Sequence, residues 1–392
     1  MQHRSENVLI VPIQHGQPAA VRAVRSAIAT ERPHVIALEA GPRRAASGQL
    51  GRGIAHTFDV PSLCILGPID AWLWSAFGTQ SRLYARFLAG GETYDEMATA
   101  VDAAAGASSV TVCCDRDELV TLMRASVQGG WQWRMRIGIE AYTGLSLPPH
   151  SHVPLSTVVR LVWIAAWGDW EGAARHLREN LLTPCWAQNA AHAASPAGRA
   201  AIAWNDCALS VIRGRAIDPL FLDALREAGS RVVSCGVSNL GLPAAMTSER
   251  DQLMGWAVAT VTPDGATRGV AVVGAAHAPG VARWVAEYRR RAAHGGVVSS
   301  AASRAGRPFP APPEEIDVLL RVPESYMLEH VGGPLAGAGA TVWGIARGLR
   351  RAPRATGLVI SAAGATLAVT LGGLANLQRQ WTRLLDPPRL DA

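Results

Sequence analysis

The opening of the chain restricts its fold most tightly, because a strand, a helix and a second strand follow one another within about 30 residues. Val8–Ile13 is a short, branched apolar run that is typical of a buried strand. Pro18 opens an amphipathic helix that ends before Pro33. The run HVIALE at 34–39 is predicted to form the second strand. The pattern therefore indicates a βαβ unit and an α/β domain with parallel strands.

Polar residues end these strands, at the edge of a parallel sheet where α/β proteins place their sites. His15 follows the first strand, and Glu39 ends the second. Further along, Gly269–Val273 is predicted as a strand, and His277 follows it just before a helix, as His15 does. We expect His15, Glu39 and His277 to converge, and these three residues are the candidate ligands of a divalent metal.

A second set of residues alternates acid and arginine at strand and helix ends. Ser109–Cys114 is predicted as a strand that leads into Asp115-Arg116, and Ser248–Thr260 as a helix that begins Ser-Glu-Arg-Asp. The candidate catalytic residues are Glu39, Arg43, Asp115, Arg116, Glu249 and Arg250. In a hydrolase, Arg43 or Arg250 would stabilise a developing oxyanion. The alternative is an arginine–carboxylate network that pins the strand ends together, formed by Glu39, Arg43, Asp115, Arg116, Glu249, Arg250 and Asp251.

The basic residues of the chain are unusual, because all 37 are arginine and the formal net charge is +6. They are scattered, and the one dense run (Arg347, Arg350, Arg351, Arg354) adjoins an apolar tail. This placement favours a membrane lipid surface as partner, and we expect no nucleic-acid partner. Residues 130–215 are predicted to be mostly helical and are rich in tryptophan. Trp163, Trp167 and Trp170 share one helix face, which indicates core or interface packing.

The apolar tail at 355–376 has 22 residues without a charge. At ~1.5 Å per residue it is long enough to cross a bilayer core of ~30 Å. We expect a C-terminal transmembrane helix that anchors the chain by its tail in a mitochondrial membrane, with the endoplasmic reticulum as the alternative. A buried core helix is the other interpretation of this segment. Gly364, Ala368 and Gly372 recur every four residues, a spacing that favours membrane-protein partners or a homo-oligomer.

These features predict one large domain followed by a membrane segment. The predicted divisions are an α/β domain at 1–297 with a mostly helical insertion at 130–215, a linker and terminal segment at 298–330, an apolar and basic juxtamembrane segment at 331–354, the transmembrane helix at 355–376 and a short polar tail at 377–392.

Five ordered blocks of the sequence resemble the TraB family. They are Pro12-Ile-Gln-His15, Glu39-Ala-Gly-Pro-Arg43, Asp115-Arg116 with Thr121 and Arg124, Ser248-Glu249-Arg250-Asp251, and Gly274-Ala-Ala-His277-Ala-Pro-Gly280. The resemblance implies the EreA/ChaN-like α/β fold, a mixed sheet core with surrounding helices. Relatives include the Tiki proteases, described as metal-dependent, and bacterial pheromone-shutdown proteins, while eukaryotic members look like organelle-membrane proteins.

One departure from the family pattern bears on activity. Pro12 stands where the family has glycine, and proline fixes φ and removes an N–H from a backbone that would approach a metal or substrate. We therefore expect a membrane-anchored, TraB-like pseudoenzyme that acts as a scaffold or subunit of a mitochondrial membrane complex. The alternative is a metal-dependent hydrolase or peptidase of the Tiki type, with manganese, cobalt or zinc bound by His15, Glu39 and His277.

Overall fold

The computed structural model describes residues 3–5, 7–14, 17–41, 96–216, 218–234, 242–263, 267–294, 312–326 and 353–382, together with positions 340, 343, 345 and 347. The chain divides into two units. The first unit comprises Met1–Ser62, Ala89–Gln128 and Leu242–Pro323, and the second comprises Leu63–Leu88, Gly129–Gly241 and Glu324–Ala392. Each unit is therefore assembled from segments that are far apart in the sequence.

A five-stranded sheet forms the centre of the first unit. Its strands are β1 (His3–Ser5), β2 (Val8–Ile13), β3 (Val35–Leu38), β4 (Val110–Cys113) and β5 (Gly269–Gly274). The order across the sheet is β1-β2-β5-β3-β4. Strand β1 is antiparallel to β2, and the other pairs are parallel.

Strand β5 occupies the middle of this sheet, paired with β2 on one side and β3 on the other. The two strands of the predicted βαβ unit, β2 and β3, are both present and parallel. They are not neighbours, as a βαβ unit of adjacent strands would require, because β5 lies between them. All residues of β5 are buried. A strand that is apolar on both faces gains most from a central position with layers above and below it.

The described helices account for most of the remaining described residues. They are α1 (Pro18–Glu31), α2 (Glu96–Ala107), α3 (Glu118–Thr143), α4 (Leu155–Ala166), α5 (Trp170–Leu177), α6 (Thr183–Gln188), α7 (Ala190–Ala193), α8 (Pro196–Ile212), α9 (Pro219–Ser234), α10 (Ser248–Val261), α11 (Ala278–Ala293), α12 (Glu314–Leu320), α13 (Glu324–Tyr326) and α14 (Pro353–Thr382). A π-helical turn covers Arg178–Leu182, and a 3-10 turn covers Ala244–Met246. Helix α3 is broken at Gly130, whose φ is 62°, close to where the chain leaves the first unit.

The sheet is covered on both faces, as the alternation of its side chains requires. Leu9, Val11 and Ile13 of β2 pack in one hydrophobic cluster with α1 and α2. Val8 and Ile10, which point to the other face, pack with α10, α11 and α12. The first unit is thus a three-layer α/β arrangement, which agrees with the predicted mixed sheet surrounded by helices.

All regular secondary structure among the described residues of the second unit is helical. Its core draws on α3, α4, α5, the π-helical turn, α6, α8 and α9, so the helical character predicted for 130–215 is present. Two residues of the C-terminal helix α14, Leu374 and Leu377, belong to the same buried cluster. Helix α14 therefore completes the core of the second unit, whose first buried residue along the chain is Ile139.

The predicted transmembrane helix at 355–376 is wrong. Among the helices of the described residues, none has a stretch both long and apolar enough to cross a bilayer. Residues 355–376 belong to α14, and its second half packs closely on α4: the Asn376 amide donates to the Ala165 carbonyl at 3.1 Å. A run of small apolar residues suits close helix packing in protein as well as in lipid, because both require backbones to approach.

Two neighbouring glycines of α14 allow a test of this contact. A Cβ at Gly373 would lie 2.3 Å from the Val162 carbonyl oxygen, whereas a Cβ at Gly372 would meet nothing within 4 Å. We expect Gly373→Ala to lower the free energy of unfolding by about 1–3 kcal/mol, because α14 must move away from α4. The control Gly372→Ala should be neutral or stabilising by about 0.5–1 kcal/mol. Urea unfolding followed by circular dichroism measures both, and equal effects would contradict the packing.

Candidate functional site

Three of the predicted site residues meet at the carboxyl edge of the sheet. Glu39 follows β3, Asp115 follows β4 and His277 follows β5, and all three are buried. Because β3 pairs in parallel with both β4 and β5, the ends of these strands lie side by side. This edge is where α/β sheets place their sites.

The guanidinium of Arg250, in the first turn of α10, lies between these three side chains. Its Nη2 donates to Glu39 Oε1 at 2.5 Å, and its Nε donates to Asp115 Oδ2 at 2.8 Å, with a second bond from Nη2 to that oxygen. Its Nη1 donates to His277 Nε2 at 3.0 Å. A single planar side chain thus joins the ends of three strands to the start of a helix.

The two carboxylates also use their remaining oxygens. Glu39 Oε2 accepts from the backbone N–H of Gly274, the last residue of β5. Asp115 Oδ1 accepts from the N–H of Arg116 at 2.8 Å. Both oxygens of each carboxylate therefore face hydrogen-bond donors within the chain, as buried polar groups require.

His277 is held from both ring nitrogens. Because Arg250 donates to Nε2, that nitrogen must carry the lone pair, and the hydrogen resides on Nδ1. Nδ1 then donates to Asp251 Oδ1 at 2.6 Å. Nε2 lies 3.6 Å from Glu39 Oε1, beyond hydrogen-bond length. This arrangement fixes the ring orientation and its tautomer.

Gly280, the last residue of the His277 block, lies where a larger residue would collide with a neighbouring side chain. A Cβ at position 280 would lie 1.9 Å from Asp251 Oδ2. Only glycine allows the Asp251 carboxylate to approach the start of α11, from where it reaches the imidazole. The position of Gly280 relative to His277 therefore allows the Asp251 carboxylate to reach the His277 ring.

Electrostatics keep the Arg250 guanidinium charged. Burial by itself lowers the pKa of Arg250, but the charges of Asp115 and Glu39 and the bonds to them raise it, and the net pKa lies above its ordinary value. Burial, with the same two carboxylates, raises the pKa of Cys114 well above its ordinary value. The Cys114 thiol donates to the Leu38 carbonyl at 3.0 Å, so it is a buried structural thiol and no nucleophile.

A second cluster lies beside the first in the same unit and centres on Glu249. Arg124 donates to both carboxylate oxygens of Glu249, at 2.7 and 2.9 Å, and Arg116 Nη1 donates to one of them at 2.8 Å. The other bonds of the Arg116 guanidinium go to Thr121 Oγ1 and to the carbonyls of Ala245 and Leu319. Arg116 is fully buried and ties the loop after β4 to α12 and to the 3-10 turn.

The arginines determine the ionisation of Glu249. Burial by itself raises the pKa of Glu249, but the hydrogen bonds from Arg124 and Arg116 outweigh it and lower the pKa to about 2. Burial lowers the pKa of Arg116, opposed by its bond to Glu249. The carboxylate is therefore ionised wherever the domain is folded near neutral pH.

The structure brings Glu39, Asp115, Arg250 and His277 together, and places Arg116 and Glu249 in the adjoining cluster. His15 and Arg43 lie outside the described residues. The sequence analysis placed Asp251 in the alternative network but did not predict its bond to His277, and it did not predict the pairing of Arg124 with Glu249. A signal for Asp251 was available, since a histidine that acts as ligand or base usually has a carboxylate on its other nitrogen.

No family model matches the chain, and neither the curated proteins nor the solved structures include a match. The likeness to the TraB family therefore depends on the five sequence blocks, and it stays a prediction.

The cluster in this conformation does not fit a metal ion. The 3.6 Å between His277 Nε2 and Glu39 Oε1 suits two ligands of one ion, since two bonds of ~2.1 Å at a tetrahedral angle span roughly that distance. The Arg250 guanidinium, however, donates to both of these atoms and so takes the position of the cation. Within the described residues, no group of three or more histidine, cysteine or acidic side chains has a metal-binding arrangement.

Replacement of Arg250 tests the importance of the first cluster. Arg250→Gln would leave Glu39 and Asp115 buried without their counter-charge, and we expect a loss of about 3–5 kcal/mol in the free energy of unfolding. Arg290→Gln is the matched control, because Arg290 pairs with Glu287 on the surface of α11 and should change stability little. Chemical denaturation measures both variants, and equal losses would contradict a central role for Arg250.

The second cluster predicts a pH dependence. The folded pKa of Glu249 is about 2, below its ordinary value of 4.5, so its contribution to stability is full above the ordinary value and is lost as pH falls through the folded one. We expect the stability difference between the wild type and Glu249→Gln to shrink as pH falls from about 5 to about 2. Denaturation at several pH values measures this. The exposed control Glu227→Gln should show no such trend, and a constant difference for Glu249→Gln would contradict the prediction.

Proposed function

We propose that this chain is a TraB-like scaffold or complex subunit whose strand-end cluster is structural and not hydrolytic. The observation that carries the proposal is the position of Arg250. Its guanidinium bonds to Glu39, Asp115 and His277, the groups from which a hydrolytic site would be built. A side chain that neutralises two buried carboxylates in this way stabilises the fold and blocks the space for a cation or substrate.

The saturation of the cluster supports the same proposal. Both oxygens of Glu39 and of Asp115, and both nitrogens of His277, are within hydrogen-bond distance of donors or acceptors of this chain. A catalytic base or nucleophile needs a lone pair directed at substrate. To expose one here, the Arg250 bonds must break, at the cost of separating buried opposite charges.

The second candidate is the metal-dependent hydrolase with manganese, cobalt or zinc. One observation favours it: the Asp251–His277 bond of 2.6 Å is the kind of contact that orients a histidine ligand. His277 and Glu39 would hold the ion, and His15, outside the described residues, would be the third ligand. This function requires Arg250 to leave its position.

The location of the protein and its partners remain proposals, and a transmembrane helix no longer supports them. The arginine run at 347–354 supports contact with a lipid surface. The proposed membrane is mitochondrial, with the endoplasmic reticulum as the alternative. Gly364, Ala368 and Gly372 offer a narrow face of α14 to a protein partner or a second copy. Added Cβ atoms at the two glycines would meet nothing within 4 Å, which leaves this face open for such packing.

Metal analysis and peptide-hydrolysis assays of the purified full chain separate the two candidates. We expect no stoichiometric manganese, cobalt or zinc, and no peptide hydrolysis when these ions are added. Recovery from cells in a stable complex with other proteins would support the scaffold.

Variants make this experiment decisive. Metal-dependent turnover that His277→Ala abolishes, and that the exposed control His294→Ala retains, would overturn the proposal. Arg250→Gln adds a further arm: metal binding that appears only in this variant would show that Arg250 blocks a latent site, which would support the proposal.

A further inference from the structure

Helix α4 in the second unit presents a large apolar surface to solvent. Its buried side carries Thr157, Leu161, Val162 and Ala165, which contact the helical core. Its other side carries apolar residues at every fourth position: Leu155, Val159, Trp163 and, at the end of the helix, Trp167. This set, the α4 ridge, is exposed by 57%, 61%, 54% and 70% in that order. A contiguous exposed set of this kind marks an interaction surface.

The two indoles of the α4 ridge form a pair. Their ring centroids are 5.9 Å apart with an interplanar angle of 62°, so Trp163 and Trp167 support each other edge to face. An exposed tryptophan has an apolar ring and one N–H donor. This chemistry suits the boundary between hydrocarbon and headgroups of a bilayer, where one part of the ring is buried and the other is hydrated.

One charged residue of α4 complements an anionic surface. Arg160 lies on the same exposed side of the helix as the ridge. Elsewhere in the same unit, Arg347 lies 5.0 Å from the ring centroid of Trp343, which is itself 63% exposed. Arginines next to tryptophans are the combination that binds anionic headgroups and the interface together.

The acidic residues that follow the ridge are already engaged. Asp169 caps α5, because its carboxylate accepts from the Gly172 N–H at 2.8 Å. Glu171 forms an ion pair with Arg213 at 3.2 Å. Repulsion of an anionic surface by these two carboxylates is therefore reduced.

We propose that the α4 ridge, together with Arg160, binds peripherally to an anionic lipid bilayer surface. The ridge is one helix wide, and Arg160 adds a positive charge to the exposed side of the same helix. A second copy packed on the same ridge would bring two Arg160 side chains together, whereas anionic headgroups would pair with them. The proposal deepens the lipid contact proposed above, and it does not depend on the strand-end cluster.

Vesicle co-sedimentation of the full chain tests the proposal, with phosphatidylcholine vesicles and with vesicles that also contain phosphatidylserine. We expect binding to the anionic vesicles, weakened at least about tenfold by the double variant Trp163→Ala/Trp167→Ala. Arg160→Gln should weaken it by about fivefold on anionic vesicles and much less on neutral ones. Trp131→Ala is the matched control, since Trp131 is 51% exposed in the same unit and lies outside the ridge.

Circular dichroism first establishes that each variant is folded. We expect this result because the substituted residues are exposed. No binding of the wild type to either vesicle would overturn the proposal, as would equal binding by the double variant. Sedimentation velocity tests the alternative, in which a second copy of the chain covers the ridge. A wild-type dimer that is lost in the double variant, together with no lipid binding by the wild type, would assign the ridge to a second copy.

Discussion

The position of the Arg250 guanidinium is the constraint on which the first unit depends. Three parallel strands end with polar side chains at the same edge, and two of these side chains are carboxylates that would repel each other in a buried setting. One planar cation relieves that repulsion and also fixes the neighbouring imidazole. It also ties the start of α10 to this edge of the sheet, since the arginine is in the first turn of that helix. Catalytic residue types can thus be present and oriented while their bonding capacity is used within the chain.

Local sequence patterns predicted the elements but not their order. The boundaries of β2 and α1 follow from a branched apolar run and from proline, both of which act on the nearest residues. The central place of β5 depends on which strand buries most on both faces, a comparison across the whole chain. The convergence of Glu39, Asp115 and His277 was predictable because parallel strands end at one edge. An arginine–carboxylate network was one of the two interpretations of these residues. The choice of Arg250 as the common partner was not predictable, because sequence shows which charges exist and not which of them meet.

The C-terminal helix illustrates a different limit. A run of alanine, glycine, leucine and valine without charges satisfies the requirements of a lipid-exposed helix and of a core helix alike. What decides between them is the partner surface. Here α4 offers a backbone groove at Val162 that only glycine can approach, and Leu374 and Leu377 fill the cluster behind it. Neither feature is visible in residues 355–376 themselves.

The central place of β5 has a consequence for how the chain is synthesised. Strands β2 and β3 leave the ribosome early, but the strand that joins them, β5, emerges long after, and the helical residues of the second unit are made in between. Until then the inner edges of β2 and β3 have open hydrogen-bonding groups. The core of the second unit likewise cannot be complete until α14 has been synthesised. Nascent chains of this protein should therefore depend on chaperones for longer than those of a protein whose neighbouring strands are consecutive.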